Sequence, residues 1–243
     1  MQRKSARQPK QTPNPSVELP AANTKPIQLA GDVEAIRKEI RAFLQTKNPD
    51  GRSIGSSAFG IYAFYDYDGE PIYVGKTYEG LSSRIGRHLT NQRTDAVAMN
   101  VLDPFEVAEI RVWPLDFKKI EKQEALELLA QAEYTVYQKL LTESKLNAVL
   151  NEKPPPKTAL FKLPKDYRGR IIPDDIYPIR KHPDIRIARR ANTIASLARV
   201  ISERKVSKGL RRTLLTQARR LEKLAAERLK DFAGQSDEEG EEE

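Results

Sequence analysis

The chain of 243 residues has no cysteine, two histidines, two methionines and one tryptophan. Without cysteine there is no disulfide, no thiolate metal ligand and no thiol nucleophile, which fits a reducing compartment. The two histidines, His88 and His182, lie far apart, and no Ser-His-Asp arrangement is visible. No run approaches the ~20 apolar residues of a membrane span. The N-terminus has no apolar signal-peptide core, so the expected location is the cytoplasm, with no membrane partner. A glycine-rich phosphate loop, an internal repeat, a zinc finger and a helix-hairpin-helix signature are also missing.

Positive charge is plentiful instead. Lys and Arg number 42 against 34 Asp and Glu, a net charge of +8. That balance favours a polyanionic partner, though it would equally suit a ribosomal or membrane-surface protein. The last eleven residues, AGQSDEEGEEE, run against the trend and leave the body more basic still.

Composition shifts divide the chain. Residues 1–30 are Pro-, Gln- and Asn-rich and read as a disordered tail. Residues 31–54 hold a helix, with Asp32 as N-cap and Val33, Ile36, Ile40, Phe43 and Leu44 on its apolar face. Residues 55–152 read as a catalytic core, 153–184 as a Pro-rich linker, 185–232 as a basic helical region and 233–243 as an acidic tail. In the helical region, Ile187, Ala191, Ile194, Ala198 and Ile201 mark one inward face. Leu210, Leu214, Leu221 and Leu224 mark a second. Between Arg186 and Asp231 stand fourteen basic residues against four acidic ones. This is either a solvated α-hairpin or an arm contacting phosphates through Arg189, Arg190, Arg211, Arg212, Arg219 and Arg220.

The core opens with Gly60-Ile61-Tyr62. After ten intervening residues comes Tyr73-Val74-Gly75-Lys76. Asp68-Gly69 between two apolar runs predicts a hairpin closed by a type I′ turn, which needs positive φ at both central residues. Tyr62 and Tyr73 then stand close together on paired strands. Taken alone, this is an amphipathic hairpin whose tyrosines pack. After a polar turn, Leu81 to Leu89 reads as a helix with Ser82 or Ser83 at the N-cap. Arg84 and His88, four residues apart, share one line along it. Such a pair suits a phosphate, with Arg87 beside it as a further contact; by itself it would pass for a solvated face.

These residues resemble the GIY-YIG nucleases. Gly60-Ile61-Tyr62 matches the first family motif and Tyr73-Val74-Gly75 the second, with Val for Ile. Arg84 stands at the family's helical arginine, Lys76 at a frequent basic position, and His88 one turn beyond. The resemblance spans roughly residues 50 to 152. It implies an α/β fold, a small, mostly antiparallel three-stranded sheet flanked by helices, whose third strand falls at Glu106 to Val112.

The family also requires a metal-binding glutamate and an asparagine. Ile120 to Leu141 reads as a helix with Ile120, Leu126, Leu129, Val136 and Leu140 inward, and Glu133 falls within that stripe. A carboxylate there is costly to bury unless paired, protonated or metal-bound. Glu121, Glu124 and Glu127 lie on the flank. The asparagine is Asn151 by register, with Ala148 and Leu150 departing from the family's Pro and aromatic; Asn147 gives the more usual spacing.

The resemblance implies hydrolysis of DNA phosphodiesters with one divalent metal, Mg²⁺ or Mn²⁺, held by Glu133. Tyr73 would act as general base, Tyr62 would orient the water, and Arg84 would stabilise the phosphate. Lys76 and Arg84 would favour a phenolate, and His88 would contact phosphate or relay a proton. Asn151 would anchor the site. The expected class is a stand-alone restriction-like or phage or mobile-element endonuclease on double-stranded DNA. With one active site per chain, cutting both strands favours a homodimer. The competing expectation is an inactive DNA-binding or architectural protein that keeps the fold. An RNA- or ribosome-associated protein is suggested by charge alone.

Overall fold

The computed structural model describes residues 31–89, 103–117 and 119–233, apart from the side chain of His88. The expected disordered N-terminal tail and most of the acidic tail lie outside the described residues.

Helix α1 (Gly31–Leu44) comes first, followed by strands β1 (Phe59–Tyr65) and β2 (Pro71–Thr77) and helix α2 (Leu81–Leu89). Then come β3 (Glu109–Leu115), the 22-residue α3 (Lys122–Glu143) and β4 (Tyr167–Arg170). A short α4 (Tyr177–Lys181) precedes the long pair α5 (Pro183–Glu203) and α6 (Lys208–Ala233). The four strands form one antiparallel sheet in the order β2-β1-β3-β4. The expected third strand therefore exists, shifted a few residues onward. The fourth was not expected, because proline density made its segment read as a linker.

That segment wraps the domain. Phe161 and Leu163 pack beside α3, and the Phe161 amide donates to the Thr135 hydroxyl at 2.8 Å. The chain then returns as β4, with Ile171 and Ile172 buried behind it. Gly169 is needed here, since a Cβ on it would lie 2.5 Å from the Phe43 ring of α1.

Strand alternation sends side chains to both faces, and both are covered. Ile61, Ala63, Tyr65, Val74 and Trp113 meet α3 through Ala125, Leu129, Ala132, Val136 and Leu140. Tyr62, Phe64, Ile110 and Val112 meet the other layer, built from α1, α2, α5 and α6. The basic helices are thus part of the core and not a free arm, with Leu197, Val200 and Leu210 buried in it.

The hairpin turn differs from the expected type. Gly69 has φ +70° but Asp68 does not share a positive φ, so this is not type I′. The Gly69 amide donates to the Asp66 carbonyl at 3.1 Å, and the Asp66 amide to the Glu70 carbonyl at 3.0 Å. The glycine here closes a longer loop in the left-handed region. The Asp66 side chain orders that loop: its Oδ1 accepts from the amides of Asp68 and Glu70 at 2.9 and 3.0 Å.

Its other oxygen faces the C-terminal helices. Asp66 is 2 % exposed, and its Oδ2 lies 3.0 Å from Arg190 Nη2 and 2.5 Å from Arg220 Nη2. Glu106 receives Arg189 and Arg190 at 2.9 and 3.1 Å, while Arg186 reaches Asp68 at 2.6 Å. This changes the helix faces. The buried line of α5 is Arg186, Arg190, Leu197 and Val200, one position off the apolar stripe beginning at Ile187. Hydrophobic periodicity ranks arginine as outward, and buried carboxylates reverse that ranking.

Removing one member of a buried ion cluster strands the others and costs about 3–5 kcal/mol. Asp66→Ala should lower the unfolding free energy by that amount in a denaturant titration. Exposed Arg211→Gln should move it by less than about 0.5 kcal/mol. Acid should act through the same cluster. Burial opposes the Asp68 charge, but the Arg186 hydrogen bond and the field of Arg186, Arg190 and Arg220 hold its pKa below the ordinary 3.8. A lowered carboxylate stabilises above its unfolded pKa, and that contribution fades as pH falls through the folded value. Thermal melts should therefore weaken below about pH 4, less steeply in Asp68→Asn. Asp68 is partly exposed, so solvent screening keeps its share modest.

Candidate active site

Each motif residue has a local reason for its place. Tyr62 sits on β1 opposite Gly75 of β2, and Phe64 opposite Tyr73. A Cβ on Gly75 would come within 2.4 Å of the Tyr62 hydroxyl end, so the second motif's glycine is the seat of the first motif's ring. A Cβ on Gly60 would meet Leu81 of α2 at 2.9 Å. The two glycines therefore let β1, β2 and α2 close on one another.

Helix α2 begins at Leu81 behind Gly80, whose φ is +104° and whose carbonyl accepts from the Arg84 amide at 3.1 Å. Ser82 and Ser83 therefore lie inside the first turn, and neither is the N-cap. This start points Arg84 at the tyrosines, where it hydrogen-bonds to Tyr62. The Tyr62 and Tyr73 ring centroids are 6.2 Å apart, and Phe64 stacks on Tyr73 at 5.7 Å. Burial works against the Arg84 charge, but the field and hydrogen bond of Tyr62, then Tyr73 and Glu79, raise its pKa above the usual arginine value. Its Nε is buried with no hydrogen-bond partner among the described residues. Tyr62 is wholly enclosed at 0 % exposure, whereas Tyr73 is only partly buried.

Lys76 and Glu133 meet on the opposite face of the β1–β2 ribbon. Lys76 Nζ lies 2.9 Å from Glu133 Oε2, and the Glu133 side chain is 15 % exposed. Asn151 joins the two faces at the outer edge of β2. Its Oδ1 accepts from the Val74 amide at 3.1 Å and its Nδ2 donates to the Val74 carbonyl at 2.8 Å. Beside it the Leu150 amide donates to the Ile72 carbonyl at 2.8 Å. Asn147 instead occupies an exposed turn with φ +49°, away from this pairing.

Two residues that sequence reasoning missed hold Asn151 in place. Glu70 in the hairpin loop is buried; it accepts from the Ser144 hydroxyl and, at 3.1 Å, from the Lys145 amide. Ser144 Oγ also accepts from the amides of Leu146 and Ala148 at 3.2 Å each. No periodicity marks these residues, since one sits in a loop and the other just past a helix end.

The expected phosphate contacts separate. Arg190 and Arg220 are each 4 % exposed and fully engaged in the ion cluster, so neither can reach a nucleic acid. Burial pulls the Arg220 pKa down, with Asp66 opposing, yet an arginine beside that carboxylate stays charged. Arg189 is also committed, to Glu106 and to the Arg180 carbonyl at 2.6 Å. Arg211, Arg212 and Arg219 are exposed, with Arg212 touching the Glu152 carbonyl at 3.3 Å. Arg87 is exposed and paired with Glu79. His88 lies on α2 four residues after Arg84.

Residues 58–147 match the family model of the GIY-YIG catalytic domain. This part of the chain is similar to a GIY-YIG catalytic domain, and that similarity points to a nuclease. The match takes in Tyr62, Tyr73, Lys76, Arg84, His88 and Glu133; Asn151, α1 and everything from β4 onward lie outside it. No curated protein and no solved structure matches the chain.

The donor set can accommodate the metal that the family implies. No cluster of three or more His, Cys, Asp or Glu suited to a metal ion occurs among the described residues. Mg²⁺ keeps several waters and takes one or two carboxylates plus substrate phosphate, so the half-buried Glu133 suffices as its protein ligand.

Gly75→Ala tests the seating of Tyr62. The added methyl has no room, so the ring must move, at a cost of about 1–3 kcal/mol in a denaturant melt. Gly86→Ala on α2, where a Cβ meets no described residue within 4 Å, should instead gain roughly 0.5–1 kcal/mol.

Proposed function

We propose that the protein is a metal-dependent DNA endonuclease that hydrolyses phosphodiester bonds at the outer edge of β2. The observation that carries this reading is the convergence on one edge strand of Tyr73 and Arg84 from one face and Lys76 and Glu133 from the other.

Tyr73 is the general base, because it is the more accessible of the two tyrosines, while Tyr62 lies wholly enclosed beneath Arg84. Tyr73 takes a proton from the attacking water, whose oxygen bonds to phosphorus as the bond to the 3′ oxygen breaks. That oxygen leaves with the electron pair and is then protonated by solvent. A phenol ordinarily titrates at about 10, and the neighbouring Arg84 charge favours its ionised form. Arg84 stabilises charge on the phosphate, its orphaned Nε supplying a further donor. Glu133 would hold Mg²⁺ or Mn²⁺, which supplies Lewis-acid polarisation of the phosphate and an acidified water. Asn151 is a positioning residue that fixes the main chain between Tyr73 and Lys76. His88 assists at the phosphate. Arg87, Arg211, Arg212 and Arg219 add sequence-independent affinity for duplex DNA. The biological class is restriction-like or phage or mobile-element cutting, with a homodimer cleaving both strands.

The test is cleavage of supercoiled plasmid with Mg²⁺ by the intact protein, Glu133→Ala and Tyr73→Phe. The intact protein should convert the plasmid, and each variant should lose at least about 100-fold in rate, the scale of a general base. If all three shift DNA in a gel and none cuts, the chain is a DNA-binding module. If Glu133→Ala cuts like the intact protein, the carboxylate assignment is wrong.

A further inference from the structure

We propose that the cleft between α1 and α2 binds the phosphodiester backbone of the DNA strand next to the scissile bond. This makes α1, which lies outside the matched catalytic domain, a substrate-binding element. The inference rests on the DNA-cleavage reading above and adds a second contact site to it.

The cleft has a volume of about 610 Å³. Arg37 and Arg41 line it from α1, and Ser82, Ser83, Gly86 and Arg87 from α2. With Ser53, three guanidinium groups and three hydroxyls therefore share one open concavity, and no acidic residue lines it among the described residues. Guanidinium and hydroxyl donors are the groups that phosphate oxygens take.

The two α1 arginines are also free of carboxylate partners among the described residues. Neither Arg37 nor Arg41 forms an ion pair among the described residues, in contrast to the arginines of the buried cluster. Arg37 Nε is buried without a hydrogen-bond partner among the described residues. A buried unsatisfied donor is costly in a folded protein and calls for a partner. A phosphate oxygen in the cleft would be one. Among the described residues Arg87 alone of the three has a carboxylate partner, Glu79, and a phosphate would take its place.

The location fits the site. Arg87 follows Arg84 by three residues, so they stand on adjoining lines of one helix, one facing the cleft and the other the tyrosines. A strand whose scissile phosphate lies at Arg84 would pass its neighbouring phosphates along the cleft. Gly86 leaves room for it, as no described residue lies within 4 Å of where its Cβ would be.

The experiment measures duplex-DNA binding in EDTA across a salt series, with the intact protein, Arg37→Gln/Arg41→Gln and Gly86→Glu, each checked by thermal melting. Each lost phosphate contact lowers the slope of log K against log salt by about 0.9. The double variant should lose close to two units of slope and roughly an order of magnitude in affinity at moderate salt. Gly86→Glu brings a carboxylate to the cleft from a position with no described neighbour within 4 Å of its Cβ, and should weaken binding in the same direction even if the double variant folds poorly. Unchanged affinity and slope in a folded Gly86→Glu, or in a folded double variant, overturns the proposal. The cleavage reading fails separately: an intact protein that binds with the steep slope and does not cut plasmid with Mg²⁺ refutes the nuclease but leaves the cleft standing.

Discussion

A buried carboxylate holds two halves of this protein together. Asp66 uses one oxygen to shape the β1–β2 loop and the other to receive Arg190 and Arg220 from the terminal helices. The motif hairpin and the helices that cover it are thereby one unit. With Glu106 and Asp68 opposite Arg186 and Arg189, the cluster is nearly balanced in sign. Buried charges are tolerable only under such pairing. Geometry there also reaches the candidate active-site edge. Glu70, whose amide is tied to Asp66, accepts from Ser144 and Lys145 in the turn that leads to Asn151.

The candidate active-site edge depends on a second kind of constraint, close approach. Tyr62 can lie over β2 because Gly75 has no side chain, and α2 can reach β1 because Gly60 has none. The start of α6 is pressed against the chain just after Asn151, where a Cβ on Gly209 would lie 2.0 Å from the Glu152 carbonyl. Ser207 adds a 2.8 Å hydrogen bond to the Glu152 carboxylate. The exposed arginines at the start of α6 consequently lie close to the edge that carries Tyr73 and Lys76, although they are far from it in sequence. The terminal helices thus carry buried arginines that hold the core together and exposed ones at the surface.

Sequence alone determined the motif hairpin, the arginine helix, the long helix bearing Glu133 and the approximate bounds of the terminal helices. Each rests on local information: glycines at close approaches, a turn signal, and apolar residues repeating at the period of a helix. Glu133 stood out because a carboxylate inside an apolar stripe needs a partner, and the fold supplies Lys76 at 2.9 Å. Tertiary structure decided what depends on partners distant in the chain. It set Asn151 against Val74 and Asn147 in a left-handed turn, since only strand pairing can tell them apart. It added β4 from a segment whose prolines hide a strand. It also divided the arginines of the terminal helices between core and surface, because a guanidinium is buried where a carboxylate awaits it, and no periodicity records where that carboxylate lies.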